Sequence, residues 1–108
     1  MLKKIIVLTF ASFYIALAFG QNVEFHKDFF TKEQKPALKE AQKKIEEGDL
    51  LMIMGRHRYK DALILYREAN HFNPKNALLN YKIGQCYLFG SIYKDKALTY
   101  FKAASELD

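Results

Sequence analysis

Few side chains in this chain could take part in metal binding or covalent catalysis. The histidines are His26, His57 and His71, and the single cysteine is Cys86. None of these four residues lies at ligand spacing from another, whereas metal sites need several such ligands together. The pattern favours solvated or capping histidines. Cys86 falls on the apolar stripe of a predicted helix, so a buried thiol is a better interpretation than a catalytic nucleophile.

A group of carboxylates could be considered for acid and base catalysis. Glu46, Glu47 and Asp49 follow Lys43 and Lys44 in a segment of strong helix formers. At this spacing, opposite charges are usually surface partners at positions i and i+4 of one helix. The glycines form no GxGxxG or GxxxxGK phosphate loop. The sequence therefore predicts a non-catalytic protein with no cofactor, no metal and no small-molecule substrate.

The densest basic patch is "GRHRYK", residues 55–60, in which Arg56, Arg58 and Lys60 flank Tyr59. Such a patch could contact phosphate or RNA. The whole chain has 17 Lys and Arg against 12 Asp and Glu, a net charge of +5, and both signs are mixed along it. One short cluster on a nearly balanced chain predicts no nucleic-acid partner.

The first 20 residues have the layout of a secretory signal peptide. "MLKK" supplies positive charge, and the next fifteen residues are uncharged and mostly apolar. Ala18 and Gly20 provide the small residues that precede cleavage, which predicts a mature chain from Gln21, with cleavage after Ala18 as an alternative. An uncleaved anchor is less favoured because a spanning helix needs about 20 apolar residues. Removing residues 1–20 leaves 88 residues with a net charge of +3.

The elements that must position any site are predicted to be helices. Residues 21–35 form a polar, mostly irregular arm, and residues 36–108 form the folded domain. The first helix runs from Pro36 to Gly55, with Gly48 inside it where a neighbouring helix would approach closely. Helices follow over residues 59–72, which end before Pro74, over 76–89, which Gly90 closes, and from Lys94 to the end. No strand pattern is present, so the predicted fold class is all-α.

Apolar residues recur at helical spacing in each predicted helix. They are Leu38, Ala41, Ile45, Leu51, Met52 and Met54 in the first, Ala62, Leu65, Tyr66 and Ala69 in the second, Leu79, Ile83, Cys86 and Tyr87 in the third, and Ala97, Tyr100, Phe101 and Ala104 in the fourth.

The chain repeats itself with a period near 34. "YKDALILYREANHFNPKN" is followed by "YKDKALTYFKAASELD", and the aligned pairs include Ala62 with Ala97 and Tyr66 with Phe101, both 35 residues apart. Small differences in spacing fall in the turns, where insertions are tolerated. A period of this length with alanine, aromatic and proline landmarks indicates an array of helix-turn-helix units.

These landmarks resemble those of the tetratricopeptide repeat family. The resemblance covers residues 41–108 and implies two units, about 41–76 and 77–108, in a short right-handed solenoid. It also implies that certain residues pack one helix on the next: Gly48, Gly55, Tyr59, Ala62, Tyr66, Ala69 and Pro74 in the first unit, and Gly84, Tyr87, Tyr93, Ala97, Phe101 and Ala104 in the second. The turn "GRHRY" is two residues longer than the usual family spacing.

The resemblance also implies where a partner binds. In the family, the first helix of each unit lines a concave groove that receives a peptide or another protein. The matching positions here are Gln42, Ile45, Asp49, Tyr81 and Gln85. Met52 and Leu88 match as well, and packing inside the array is the better interpretation for both.

Arrays of this kind usually need about three units, because each buries its apolar face only against its neighbours. The second unit ends without the family's proline, which predicts the N-terminal piece of a longer protein or a capping role for the first helix. The start resembles exported envelope proteins of the Bacteroidetes group that carry a peptidoglycan-binding domain of the OmpA type. The sequence thus predicts a protein-binding scaffold in the periplasm or at the periplasmic face of the outer membrane, or alternatively a structural spacer that positions downstream domains.

Overall fold

Proline and glycine positions divide the described part of the chain into four α-helices. In the computed structural model, which describes residues 20–90 and 93–108, these are α1 (Lys35–Met54), α2 (Tyr59–Phe72), α3 (Ala77–Gly90) and α4 (Asp95–Leu107). No strand occurs in the described part of the chain, and the all-α prediction is confirmed there. The predicted signal peptide, except for Gly20, lies outside the described residues.

The helix ends follow the local chemistry that predicted them. Pro36 lies in the first turn of α1, where its missing N–H leaves no hydrogen bond unmade. Gly55 ends α1 with a φ of 119°, a left-handed conformation that glycine adopts without strain. Asn73 ends α2 in an extended conformation before Pro74. Asn76 caps α3, since its side-chain oxygen accepts from the backbone N–H of Leu79 at 2.9 Å.

Consecutive helices pack against each other in an antiparallel arrangement, α1 on α2, α2 on α3 and α3 on α4. The domain is therefore an all-α four-helix structure. Its core consists of buried small and apolar side chains, and the landmark alanines at positions 62, 69, 97 and 104 are among them. The buried residues are Leu38, Ala41, Ala62, Leu63, Tyr66, Ala69, Leu79, Ile83, Cys86, Tyr87, Ala97, Ala104 and Leu107. Burying this apolar surface supplies most of the stabilising free energy.

The predicted apolar stripes of α1 and α2 differ from the observed core at three positions. Leu63 is buried in α2, whereas Leu65 is only half-buried. Met54 was expected on the apolar face of α1, but this prediction is wrong because its side chain is 59 % exposed. Met52 points inward, with its sulfur 3.4 Å from that of Cys86. Two residues further along a helix, a side chain is rotated by about 200°, so Met54 faces solvent.

In each helical hairpin, an aromatic ring of the second helix packs directly on a glycine of the first helix. A Cβ added to Gly48 would lie 2.5 Å from Cε1 of Tyr66, and one added to Gly84 would lie 2.5 Å from Cε1 of Phe101. Both distances are far below a normal contact, so the close approach of α1 to α2 and of α3 to α4 requires glycine. The same contact thus recurs in both hairpins.

The arm that precedes α1 was predicted to be mostly irregular, and it contains two single 3₁₀ turns, Lys27–Phe29 and Lys32–Gln34. Its aromatic side chains have separate roles. Phe25 packs against the core, and the rings of Phe30 and Phe72 have centroids 4.9 Å apart. Phe29 is exposed. Within residues 20–90 and 93–108, no helix combines the length and apolar character that crossing a membrane requires.

Candidate functional site

An open groove of about 430 Å³ lies between α1 and α3. Gln42 and Ile45 line it from α1, and Leu78 and Lys82 line it from α3. Phe25 of the arm lies at its edge. The structure thus brings two of the predicted groove residues together with two residues of α3 that the repeat landmarks did not indicate.

Asp49 joins three helices beside this groove. Its Oδ1 accepts a hydrogen bond from the hydroxyl of Tyr66 on α2 at 2.5 Å and from Nζ of Lys82 on α3 at 2.8 Å. Tyr66 is fully buried, and burial followed by the hydrogen bond to Asp49 raises the pKa of its hydroxyl. The buried hydroxyl is therefore held as a donor to a carboxylate.

The predicted pairing of the α1 charges within one helix is wrong for Asp49 and for Lys44. Lys44 pairs with Glu68 on α2, with Nζ and Oε2 2.8 Å apart. Lys44 turns toward α2, which packs on α1, and Asp49 is reached by Tyr66 of α2 and by the long side chain of Lys82 on α3. Intrahelical spacing could not reveal these partners, since they lie 24 and 33 residues away.

The remaining groove candidates lie elsewhere. Tyr81 lines a separate depression with Leu78, Ala104 and Asp108, and its ring centroid is 5.6 Å from that of Phe101 on α4. Gln85 is half-buried on α3. Tyr81 therefore faces α4, and its depression adjoins the groove at Leu78, which lines both.

A set of side-chain amides holds the arm against the folded domain. Nδ2 of Asn73 and Nδ2 of Asn76 both donate to the carbonyl oxygen of Val23, at 2.9 and 3.0 Å. The N–H of Val23 donates to the carbonyl of Lys75 at 2.7 Å. Nε2 of Gln42 donates to the carbonyl of Phe25 at 2.8 Å. The main chain of the arm is thus bound at the end of the groove. We call Gln42, Asn73 and Asn76 the amide clasp.

Two of these amides are deeply buried, because Asn73 and Asn76 are 4 % and 5 % exposed. Asn80 supports them by donating to the carbonyls of Pro74 and Asn76 at 3.0 and 2.8 Å. The sequence analysis named Gln42 as a groove residue but missed the three asparagines. The available signal was the spacing of asparagines around Pro74 in "NHFNPKNALLN", since buried amides need partners in the turn or in another segment.

Cys86 is buried at the centre of the helices, as predicted, and burial raises the pKa of its thiol to about 12. Nδ1 of His26 accepts the backbone N–H of Asp28 at 3.2 Å, a capping role. Across the described residues, no three His, Cys, Asp or Glu side chains are grouped as metal ligands.

We expect the Cys86 thiol to be inert in the folded protein. With a pKa near 12, its thiolate fraction at pH 8 is about a thousandfold below that of a thiol with the ordinary value of 9.0. A disulfide reagent that reports free thiols by absorbance should therefore modify the native chain at least about a thousandfold more slowly than the chain in 6 M guanidinium chloride. Equal rates in both conditions would contradict the burial.

Comparison with known proteins assigns no family. No protein-family model matches the chain, and no curated protein or solved structure matches it either. The resemblance to tetratricopeptide repeats therefore rests on the landmark residues themselves. The structure defines the class of the domain as an all-α structure of four antiparallel packed helices.

Proposed function

We propose that this chain is a non-catalytic protein-binding module, built from two hairpins of the tetratricopeptide type in a short right-handed solenoid. In this proposal, the groove between α1 and α3 receives a segment of a partner protein. The observation that carries it is the amide clasp, which binds the main chain of Val23 and Phe25 at one end of that groove.

Amide donors suit this role because they recognise a main-chain carbonyl whatever side chain the segment carries. Each such hydrogen bond contributes about 0.5–1.5 kcal/mol net. The arm occupies the end of the groove, and Ile45, Leu78 and Lys82 line the open part beside it. There, Ile45 and Leu78 can hold an apolar residue of the partner, while Nζ of Lys82 stays bound to the carboxylate of Asp49.

The repeated hairpin contact supports the solenoid. Gly48 beneath Tyr66 and Gly84 beneath Phe101 are equivalent pairs. Tyr59 is half-buried, and a Cβ on Gly90 would overlap its side chain, whereas its counterpart Tyr93 is exposed.

We base the proposed location on the predicted signal peptide. It favours the periplasm or the periplasmic face of the outer membrane, where further domains of the protein would associate with peptidoglycan.

One observation favours the second candidate function, a spacer that positions other domains. Leu63 of α2 is 9 % exposed, whereas Leu98, its repeat equivalent on α4, is 73 % exposed. α3 packs on α2, and nothing within the described residues packs in the same way on α4. A further structural element could pack on this face of α4 as α3 packs on α2.

The two candidates can be separated by site-specific crosslinking in cells that export the chain. A photoreactive phenylalanine is placed at Leu78 in the groove, at Leu98 on the uncovered face of α4, or at the exposed Lys102 as a control. We expect Leu78 to capture a partner whose crosslinked peptides map to one segment, and Lys102 to capture none.

A matched pair of substitutions tests the same assignment. Leu78→Glu should reduce recovery of that partner at least tenfold, whereas Lys102→Glu should leave it unchanged, with circular dichroism showing both chains folded. Crosslinking of a protein only at position 98 would support the second candidate, the spacer. Equal crosslinking of proteins at positions 78 and 102, or unchanged recovery of the partner with Leu78→Glu, would refute the assignment of the groove as the binding site.

A further inference from the structure

A second cleft lies over the outer face of α2, between α1 and the beginning of α4. Its volume is about 740 Å³, and among the described residues it shares no lining side chain with the groove between α1 and α3. Lys60, Ile64 and Arg67 line it from α2, and Lys96 lines it from α4. Positions separated by four and three residues share one face of a helix, so the three α2 side chains form a single stripe.

The charges of this cleft are not balanced. Of the residues that the structure describes, four Lys and Arg side chains line it against one carboxylate, that of Glu68, which is paired with Lys44. Among the described residues, Lys60, Arg67 and Lys96 make no ion pair. Three exposed cations therefore surround the cleft without an acidic partner.

Apolar and aromatic groups form the remainder of the surface. Ile64 is 57 % exposed between Lys60 and Arg67, and Leu63 and Tyr87 line the cleft beneath it. Nζ of Lys96 lies 5.0 Å from the ring centroid of Tyr93 and 5.9 Å from that of Tyr87, so the rings hold this ammonium group at the wall of the cleft.

We propose that this cleft binds an acidic peptide segment in which two carboxylates flank an apolar residue. Along this stripe of α2, the apolar Ile64 lies between the cations Lys60 and Arg67. The Cα atoms of the two cations are about 10 Å apart along the helix. In an extended peptide, residues i, i+2 and i+4 face one side and span about 13 Å. Two long basic side chains can reach carboxylates at i and i+4 while Ile64 contacts the apolar residue at i+2.

The same features favour a peptide over a nucleic acid. Nucleic acids are bound by a track of cations along successive phosphates, often with aromatic faces open for base stacking. Here the cations flank an apolar centre, the ring of Tyr87 is buried, and Nζ of Lys96 lies over the exposed ring of Tyr93. The guanidinium of Arg67 can bind a carboxylate through two parallel hydrogen bonds.

Fluorescence anisotropy of the exported chain with a labelled peptide, Gly-Glu-Ser-Leu-Ser-Glu-Gly, tests this inference at 50 mM salt. We expect saturable binding that weakens at 300 mM salt, because exposed charge pairs are screened. Replacing both glutamates of the peptide with glutamine, or its leucine with serine, should weaken binding at least fivefold. A labelled oligouridine should bind more weakly than the acidic peptide.

Two double variants with the same net charge locate the site. Lys60→Glu with Arg67→Glu should weaken peptide binding at least tenfold. Lys39→Glu with Lys102→Glu, at exposed positions outside the cleft, should change it less than twofold. Lys60→Gln with Arg67→Gln provides a milder change if reversal impairs folding.

Equal weakening by the two reversed variants, tighter binding of oligouridine, or no binding of the peptide would overturn the proposal. Leu78→Glu should leave this peptide's affinity unchanged, so the result is independent of the proposed groove.

Discussion

Replacing Tyr66 with alanine should lower the free energy of unfolding by about 3–5 kcal/mol, the range found when a large aromatic side chain is removed from a core. Tyr66 is the largest of the fully buried side chains, it covers Gly48, and its hydroxyl reaches Asp49. Alanine would leave a cavity between α1 and α2 and would remove one of the donors to the carboxylate. Urea denaturation followed by circular dichroism measures the change.

Tyr66→Phe is the matched control, because it keeps the ring over Gly48 and removes only the hydroxyl. The loss should then be about 1.5–3 kcal/mol, the contribution of one hydrogen bond to a charged acceptor. Asp49 would still pair with Lys82, so no buried charge is left without a partner. A loss with phenylalanine as large as that with alanine would show that the hydrogen bond, and not the packing of the ring, stabilises this contact.

Comparison of Tyr66→Phe with the unchanged chain also tests how stability depends on pH. Burial and the hydrogen bond to Asp49 raise the pKa of Tyr66 above its ordinary value of 10.0. The folded chain therefore keeps a proton that the unfolded chain loses, so this contribution is complete below pH 10 and decreases above it. Tyr66→Phe lacks this group, and its stability should fall less steeply above pH 10 than that of the unchanged chain.

The helices could be predicted because local chemistry determines where they begin and end. Pro36, Gly55 and Pro74 act through their own backbone preferences, which need no knowledge of the rest of the fold. Gly48 also carried information about packing, since a glycine inside a helix costs about 1 kcal/mol and is retained where a ring must approach. The ring proved to be that of Tyr66.

The groove could not be predicted to the same extent because its polar contacts join distant parts of the chain. The carbonyl of Val23 is bound by residues 50 and 53 positions later, and Asp49 meets a lysine 33 positions later. A repeat alignment compares equivalent positions, so it cannot reveal contacts of the arm, which has no counterpart in the second unit.

Leucine at Gly48 should destabilise the domain by about 2–3 kcal/mol, although leucine is the better helix former by close to 1 kcal/mol. A Cβ there would lie 2.5 Å from the ring of Tyr66, which is 0 % exposed and is held at its hydroxyl by Asp49. With its ring packed and its hydroxyl bonded, Tyr66 cannot move aside. α1 and α2 must therefore separate, and overpacking of this kind costs about 1–3 kcal/mol before further losses of contact.

Gly84→Leu is the control, because the same overlap occurs with Phe101 in the second hairpin. Phe101 is only partly buried and has no hydroxyl to anchor it, so its ring can turn toward solvent. We expect a loss of about 1 kcal/mol or less, since the gain in helix propensity offsets part of the strain. Thermal and urea unfolding of both variants measure the difference. Equal losses at the two glycines would show that the anchored hydroxyl of Tyr66 does not determine the cost.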